Sequence, residues 1–249
     1  MEIHAHTHTA QKKFTHYLWE FLMLFLAVFC GFLAENFREH QVEHWREKQY
    51  MQSMMIDLAA DTARFKTGIP LREGRIRAID TVFMFFNSNP NAKTISGNLF
   101  KNLRRTAYDQ HLNRNTITIN QLKNAGAMRL IRSKEVADSI AAYDFQFEYF
   151  ASLYGELYIL HQQADFRHLE KLVNSSDLLP LYISNSAVGI VNNIPDTLTI
   201  RINTEGLSEF LNFLMQLKVY ARQEINQYIQ LNKKATNLMM LIKQEYHLE

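Results

Sequence analysis

Residues 17 to 34 read YLWEFLMLFLAVFCGFLA, eighteen residues with one charge, Glu20. As a helix this run is ~27 Å long at 1.5 Å per residue, close to the thickness of a hydrocarbon core. It is apolar on every face, whereas an interfacial helix needs a polar stripe. Tyr17 and Trp19 at one edge, with Trp45 beyond the other, suit headgroup level. The run predicts a transmembrane helix over 17–37, preceded by a short tail over 1–16. The rival reading is a buried or interfacial helix, because only Phe21 to Ala34 is free of charge. A cleaved signal peptide fits less well, since no small-x-small site precedes Glu35 convincingly.

Lys12 and Lys13 flank one side of the run, and Arg38, Arg46 and Lys48 the other. The positive-inside rule is therefore nearly balanced, and the expectation is a cytoplasmic N-terminal side with an extracytoplasmic domain. The single cysteine, Cys30, lies inside the run, so no disulfide reports the compartment of the remainder.

The rest of the chain reads as helical. Only 8 glycines and 4 prolines occur in 249 residues, too few for a loop-rich β fold, and 47% hydrophobic residues suffice for a core. A net charge of +2 excludes a global field directed at nucleic acid. A membrane-proximal helix is expected over 38–70, stopped by Gly68 and Pro70. A helix from Leu71 to Phe86 follows, then one over Ile95 to Tyr108 and a short one ending at Gly126. Ser133 reads as the N-cap of a long helix reaching Val173, with Glu135 in its first turn. Val136, Ile140, Tyr143, Phe147, Phe150, Tyr154 and Leu157 form its apolar seam. Residues 174–204 read as an irregular connection holding one short hairpin around LTIRI. After Gly206 a final helix to Tyr246 is expected, with heptad a positions Leu207, Leu214, Ala221, Tyr228, Ala235 and Ile242 and d positions Phe210, Leu217, Glu224, Leu231, Leu238 and Glu245. The fold class expected is all-α: one transmembrane helix continuing into an elongated bundle over 71–249, closed by two long antiparallel helices.

HYLWEFLMLFLAVFCGFLAENFREH (16–40) resembles the anchor of single-pass membrane proteins common in Bacteroidota. INQLKNAGAMRLIRSKEVADSIAAYD (119–144) is similar to their recurrent L-x-N-x-G-x-x-x-L-I helix–turn–helix element. These families are catalogued as domains of unknown function. The resemblance implies the architecture and a bacterial inner-membrane location; it supplies no activity and no site residues.

Four sets of residues carry candidate chemistry. His40, Glu43 and His44 match H-x-x-E-H, in which two histidines one turn apart bind zinc beside a glutamate base. A third ligand has no nominee, and ordinary charge pairing on a solvated helix explains the same residues. His4, His6 and His8 could share a metal or be a polar terminus. Glu20 and Glu35 lie fifteen residues apart, about 60° around the helix. In a homo-oligomer they could ring the two mouths of a pore; alone they could simply reach the interfaces. Ala27 and Gly31 form a small-x-x-x-small notch for close helix approach. Lone His111, His161, His168 and His247 are expected at surfaces. Phosphate-loop, dinucleotide and nucleophile-elbow signatures are missing, so no enzyme is expected. Two classes remain: an anchored scaffold, sensor or accessory subunit that oligomerises or meets another envelope protein, and a small homo-oligomeric channel.

Overall fold

The computed structural model describes residues 14–107, 114–179 and 194–248. Five α-helices carry most of them: α1 (Phe14–Ser88), α2 (Gly97–Ala107), α3 (Ile117–Asn124), α4 (Lys134–Leu172) and α5 (Leu207–Tyr246). Strands β1 (Thr94–Ser96) and β2 (Thr199–Arg201) pair antiparallel with Ile95 opposite Ile200. The fold is all-α, as so low a glycine and proline content requires. Two compact units divide the chain, Met1–Tyr50 and Met51–Glu249, and the buried apolar core belongs to the second.

The expected break at Gly68 and Pro70 does not occur: α1 runs through both. An interior proline removes one helix hydrogen bond and costs about 3 kcal/mol. Phe65 before it and Ile79 and Val82 after it are buried in the same unit. Each such side chain contributes roughly 1.5–3 kcal/mol, so together they outweigh the proline. Gly68 is a packing residue rather than a stop. A Cβ there would lie 2.6 Å from Cε2 of Tyr228 on α5.

β1 takes the first turn of the helix expected at Ile95. The chain can switch from strand to helix at Gly97 because that residue has no side chain. Its N–H donates to the Leu198 carbonyl at 2.7 Å, and a Cβ would stand 1.9 Å from the Pro195 oxygen. The LTIRI segment does form a strand, but its partner is β1 rather than a hairpin neighbour. Asp177 holds that strand by accepting from the Arg201 N–H at 2.8 Å. Tyr108 and residues 180–193 of the connection lie outside the described residues.

Ser133 caps α4 as expected, its hydroxyl accepting from the Val136 N–H at 3.4 Å. The seam of α5 is buried from Phe210 to Ile242, and at its end Tyr246 turns inward where the heptad would place Glu245. Helices α4 and α5 pack antiparallel. Gln146 meets Gln227 at 3.0 Å, while further along α4 the His161 ring lies 6.0 Å from that of Phe213. His161 and His168 are half-buried and pack their rings against Phe210, Phe213 and Tyr220.

Candidate functional site

The first unit presents apolar side chains outward. In the apolar window of α1, long enough to cross a membrane, no residue is buried within the structure. Its two sides differ. Phe21, Phe25 and Phe29 stack in succession, with ring centroids 6.3 and 5.8 Å apart. Glu20, Leu24, Ala27, Gly31, Ala34 and Arg38 recur at steps of four and three, which aligns them along another side of the helix. A Cβ on Gly31 would meet nothing within 4 Å, so this strip is open. Glu20 and Glu35, at the two ends of the apolar window, both have partners on their own helix. Glu20 lies 3.0 Å from Nε2 of His16, and Glu35 accepts from Nε of Arg38 at 2.9 Å.

The H-x-x-E-H residues form separate contacts. Nδ1 of His40 is 3.9 Å from Glu43, and Nδ1 of His44 is 3.4 Å from Glu47, a glutamate the motif does not include. No group of three or more histidine, cysteine, aspartate or glutamate side chains is placed to hold a metal among the described residues. His4, His6, His8 and His111 lie outside those residues.

The second unit contains a buried polar centre that periodicity alone did not single out. Asp57 and Asp61, one turn apart on α1, accept from the backbone N–H groups of Thr118 and Asn115, both at 3.0 Å. They thereby fasten the start of α3 to α1. The Tyr143 hydroxyl on α4 donates to Asp61 at 2.7 Å. Burial raises the Asp61 pKa above the usual carboxylate range, opposed by this hydroxyl and the Asn115 N–H. Tyr143 is itself pushed upward, by burial first and then by the adjacent carboxylate. Arg114 bonds Asp144 at 2.6 Å and lies over the Phe147 ring at 4.5 Å. Burial would raise Asp144, but hydrogen bonds from Lys123 and Arg114 hold it below its ordinary value.

A second buried set joins α1, α2, α4 and α5. Nε of Arg72 donates to Glu224 at 3.2 Å, and its guanidinium lies 4.4 Å above the Tyr228 ring. Nε of Arg75 donates to the Thr106 carbonyl at 2.7 Å. The Thr106 hydroxyl lies 3.4 Å from Oδ1 of Asp165, which is 0% exposed and whose Oδ2 has no hydrogen-bond partner among the described residues. Burial pushes Asp165 up to about 7, against the nearby positive charge of Arg75. One sequence signal did exist for these residues: Glu224 occupies a core position of the heptad.

Comparison of the chain with protein-family models, curated proteins and solved structures returns no match.

Proposed function

We propose that this chain is a membrane-anchored scaffold, sensor or accessory subunit acting through protein–protein contacts. Residues 17–37 span the bilayer, and α1 continues from them into an elongated helical bundle. The reading is carried by one observation: the apolar window of α1 has none of its residues buried. Leaving such a surface in water is unfavourable by roughly 25 cal/mol per Å² of apolar area, and lipid removes that cost. The family resemblance supports a bacterial inner membrane; with the flanking Lys and Arg nearly balanced, the bundle is taken to lie outside the cytoplasm.

Copies associate through the strip of Glu20, Leu24, Ala27, Gly31, Ala34 and Arg38, whose small residues allow two helices to approach closely. Cysteines introduced singly in a Cys30→Ala background test this. Oxidation in isolated membranes should cross-link Ala27→Cys and Gly31→Cys more than Phe25→Cys and Phe29→Cys. Uniform cross-linking, or release of the protein by alkaline carbonate, would defeat the assembly or the anchor respectively. A pore using Glu20 and Glu35 is the weaker reading, because Glu20 is engaged by His16 and Glu35 by Arg38, each one turn away. It requires that Glu20→Gln or Glu35→Gln change cation conductance in reconstituted bilayers.

A further inference from the structure

The second unit carries a groove of about 370 Å³ between α1 and α2, within the size range of small-ligand sites. Arg72, Arg75 and Arg77 of α1 and Arg105 of α2 line it, with Gly74 and Asn102. The four arginines do two kinds of work. Arg72 and Arg75 are 3% and 6% exposed and are fixed by Glu224 and the Thr106 carbonyl. Arg77 and Arg105 are exposed. Arg77 has only a distant contact with Glu73, at 3.9 Å, and Arg105 forms no ion pair among the described residues.

The exposed pair carries the free charge: Arg77 and Arg105 meet one carboxylate between them among the described residues, Glu73. Gly74 adds an independent observation. A glycine inside a helix is less favourable than alanine, yet packing does not demand one here. A Cβ at this position would meet only Nη2 of Arg77, at 3.9 Å, an ordinary contact. Gly74 has the effect of leaving the groove open beneath that guanidinium.

We propose that this groove binds a small dianion of the phosphate-monoester class. Guanidinium forks match phosphate oxygens in pairs, and the two exposed guanidiniums of Arg77 and Arg105 match a doubly ionised phosphate better than a monocarboxylate. Pro70 and Leu71 offer an apolar wall for the organic part of the ester. This proposal goes beyond the membrane reading and does not rest on it, since every residue involved belongs to the second unit.

Isothermal titration of the detergent-solubilised full chain with phenyl phosphate, inorganic phosphate and benzoate tests it. Saturable binding of phenyl phosphate at one site per chain is expected, with benzoate at least about 10-fold weaker. Arg105→Ala and Arg77→Ala should each weaken binding by about 10-fold or more. Arg104→Ala removes the same charge next door, where the guanidinium lies over Phe166 at 5.9 Å; it should change binding by less than about twofold. Gly74→Leu should abolish binding while circular dichroism shows the helices intact, separating lost space from lost charge. Three results overturn the proposal: no saturable binding, equal weakening by Arg104→Ala and Arg105→Ala, or unchanged binding in Gly74→Leu. Binding to phosphatidic-acid nanodiscs that phenyl phosphate does not compete also overturns it, by making a lipid headgroup the source.

Discussion

Replacing Asp165 by asparagine should stabilise the protein above neutral pH. The carboxyl is 0% exposed, its Oδ2 has no hydrogen-bond partner among the described residues, and burial raises its pKa from 3.8 to about 7. A shift of roughly three units at about 1.4 kcal/mol each sets an upper bound near ~4 kcal/mol on the cost of folding with this group ionised. The direction follows from proton binding. Between the two pKa values the folded state holds more protons than the unfolded one. The stability contributed by protonated Asp165 is thus present below pH ~4 and lost as pH rises through ~7. The asparagine amide brings its own N–H groups into the same buried place, so the net gain should be about 2–3 kcal/mol at pH 8.5. In a chain of this size that is a rise of roughly 5–10 °C in melting temperature. Thermal unfolding in detergent, wild type against Asp165→Asn from pH 5 to pH 8.5, measures it. Other titrating groups are common to both proteins, so only the difference between the curves counts. Parallel curves, or a variant less stable at pH 8.5 than at pH 5 relative to wild type, would show that Asp165 is not buried as described.

Tyr143→Phe should cost about 1.5–3 kcal/mol, because the buried Asp61 carboxylate loses its phenolic donor. Its loss removes a contact that lowers the Asp61 pKa, so urea unfolding should find a larger deficit at pH 8 than at pH 5; an equal deficit would contradict the assignment. Arg72→Met should lower stability by about 3–5 kcal/mol by stripping the cation from buried Glu224, and adding Glu224→Leu should recover most of it. A double-mutant cycle without recovery would place the main role of Arg72 elsewhere. Gly97→Ala should destabilise by about 1–3 kcal/mol or more, since its Cβ would press on the Pro195 carbonyl oxygen. A urea midpoint unchanged from wild type would refute the tight strand–helix junction.

The parts of the fold legible in sequence were those set by repeating local patterns. The Ser133 cap and the α5 seam from Phe210 to Ile242 follow from hydroxyl capping and 3.5-residue spacing, and both are present. Punctuation residues misled where tertiary contacts decided. Gly68 and Pro70 are strong stops in isolation, but the Tyr228 ring against Gly68 and the buried Phe65, Ile79 and Val82 keep α1 whole. The β1–β2 pairing joins residues about a hundred positions apart, which no local window contains. The polar centre was hidden for a related reason. Asp57 and Asp61 read as ordinary charges on a helix until Thr118, Asn115 and Tyr143 arrive from α3, its leading turn and α4. The arginine groove shows the same limit: LREGRIR places three cations on α1, but Arg105 comes from α2.

The two parts of α1 reverse the usual relation between polarity and burial, and that reversal is the strongest internal argument for two solvents. Beyond Met51 the helix buries Asp57, Asp61, Arg72 and Arg75, and each is compensated by a hydrogen-bonding group within the same unit. Between Phe14 and Phe37 it exposes phenylalanine, leucine and tryptophan, and none of the described residues covers them. In water, an all-apolar surface and a set of buried ions are both unfavourable unless something compensates them. The ions have their compensation inside the second unit. The apolar surface finds none among the described residues; a bilayer would supply it for the whole circumference of the helix, whereas a protein groove would cover one stripe. On the proposed reading a second copy would displace lipid along the small-residue strip, since Gly31 and Ala27 leave room that a phenylalanine side does not. On the reading proposed above, the apolar segment would serve as the anchor, and the second unit, with its own core and the buried Arg72–Glu224 pair, as the part that meets partners.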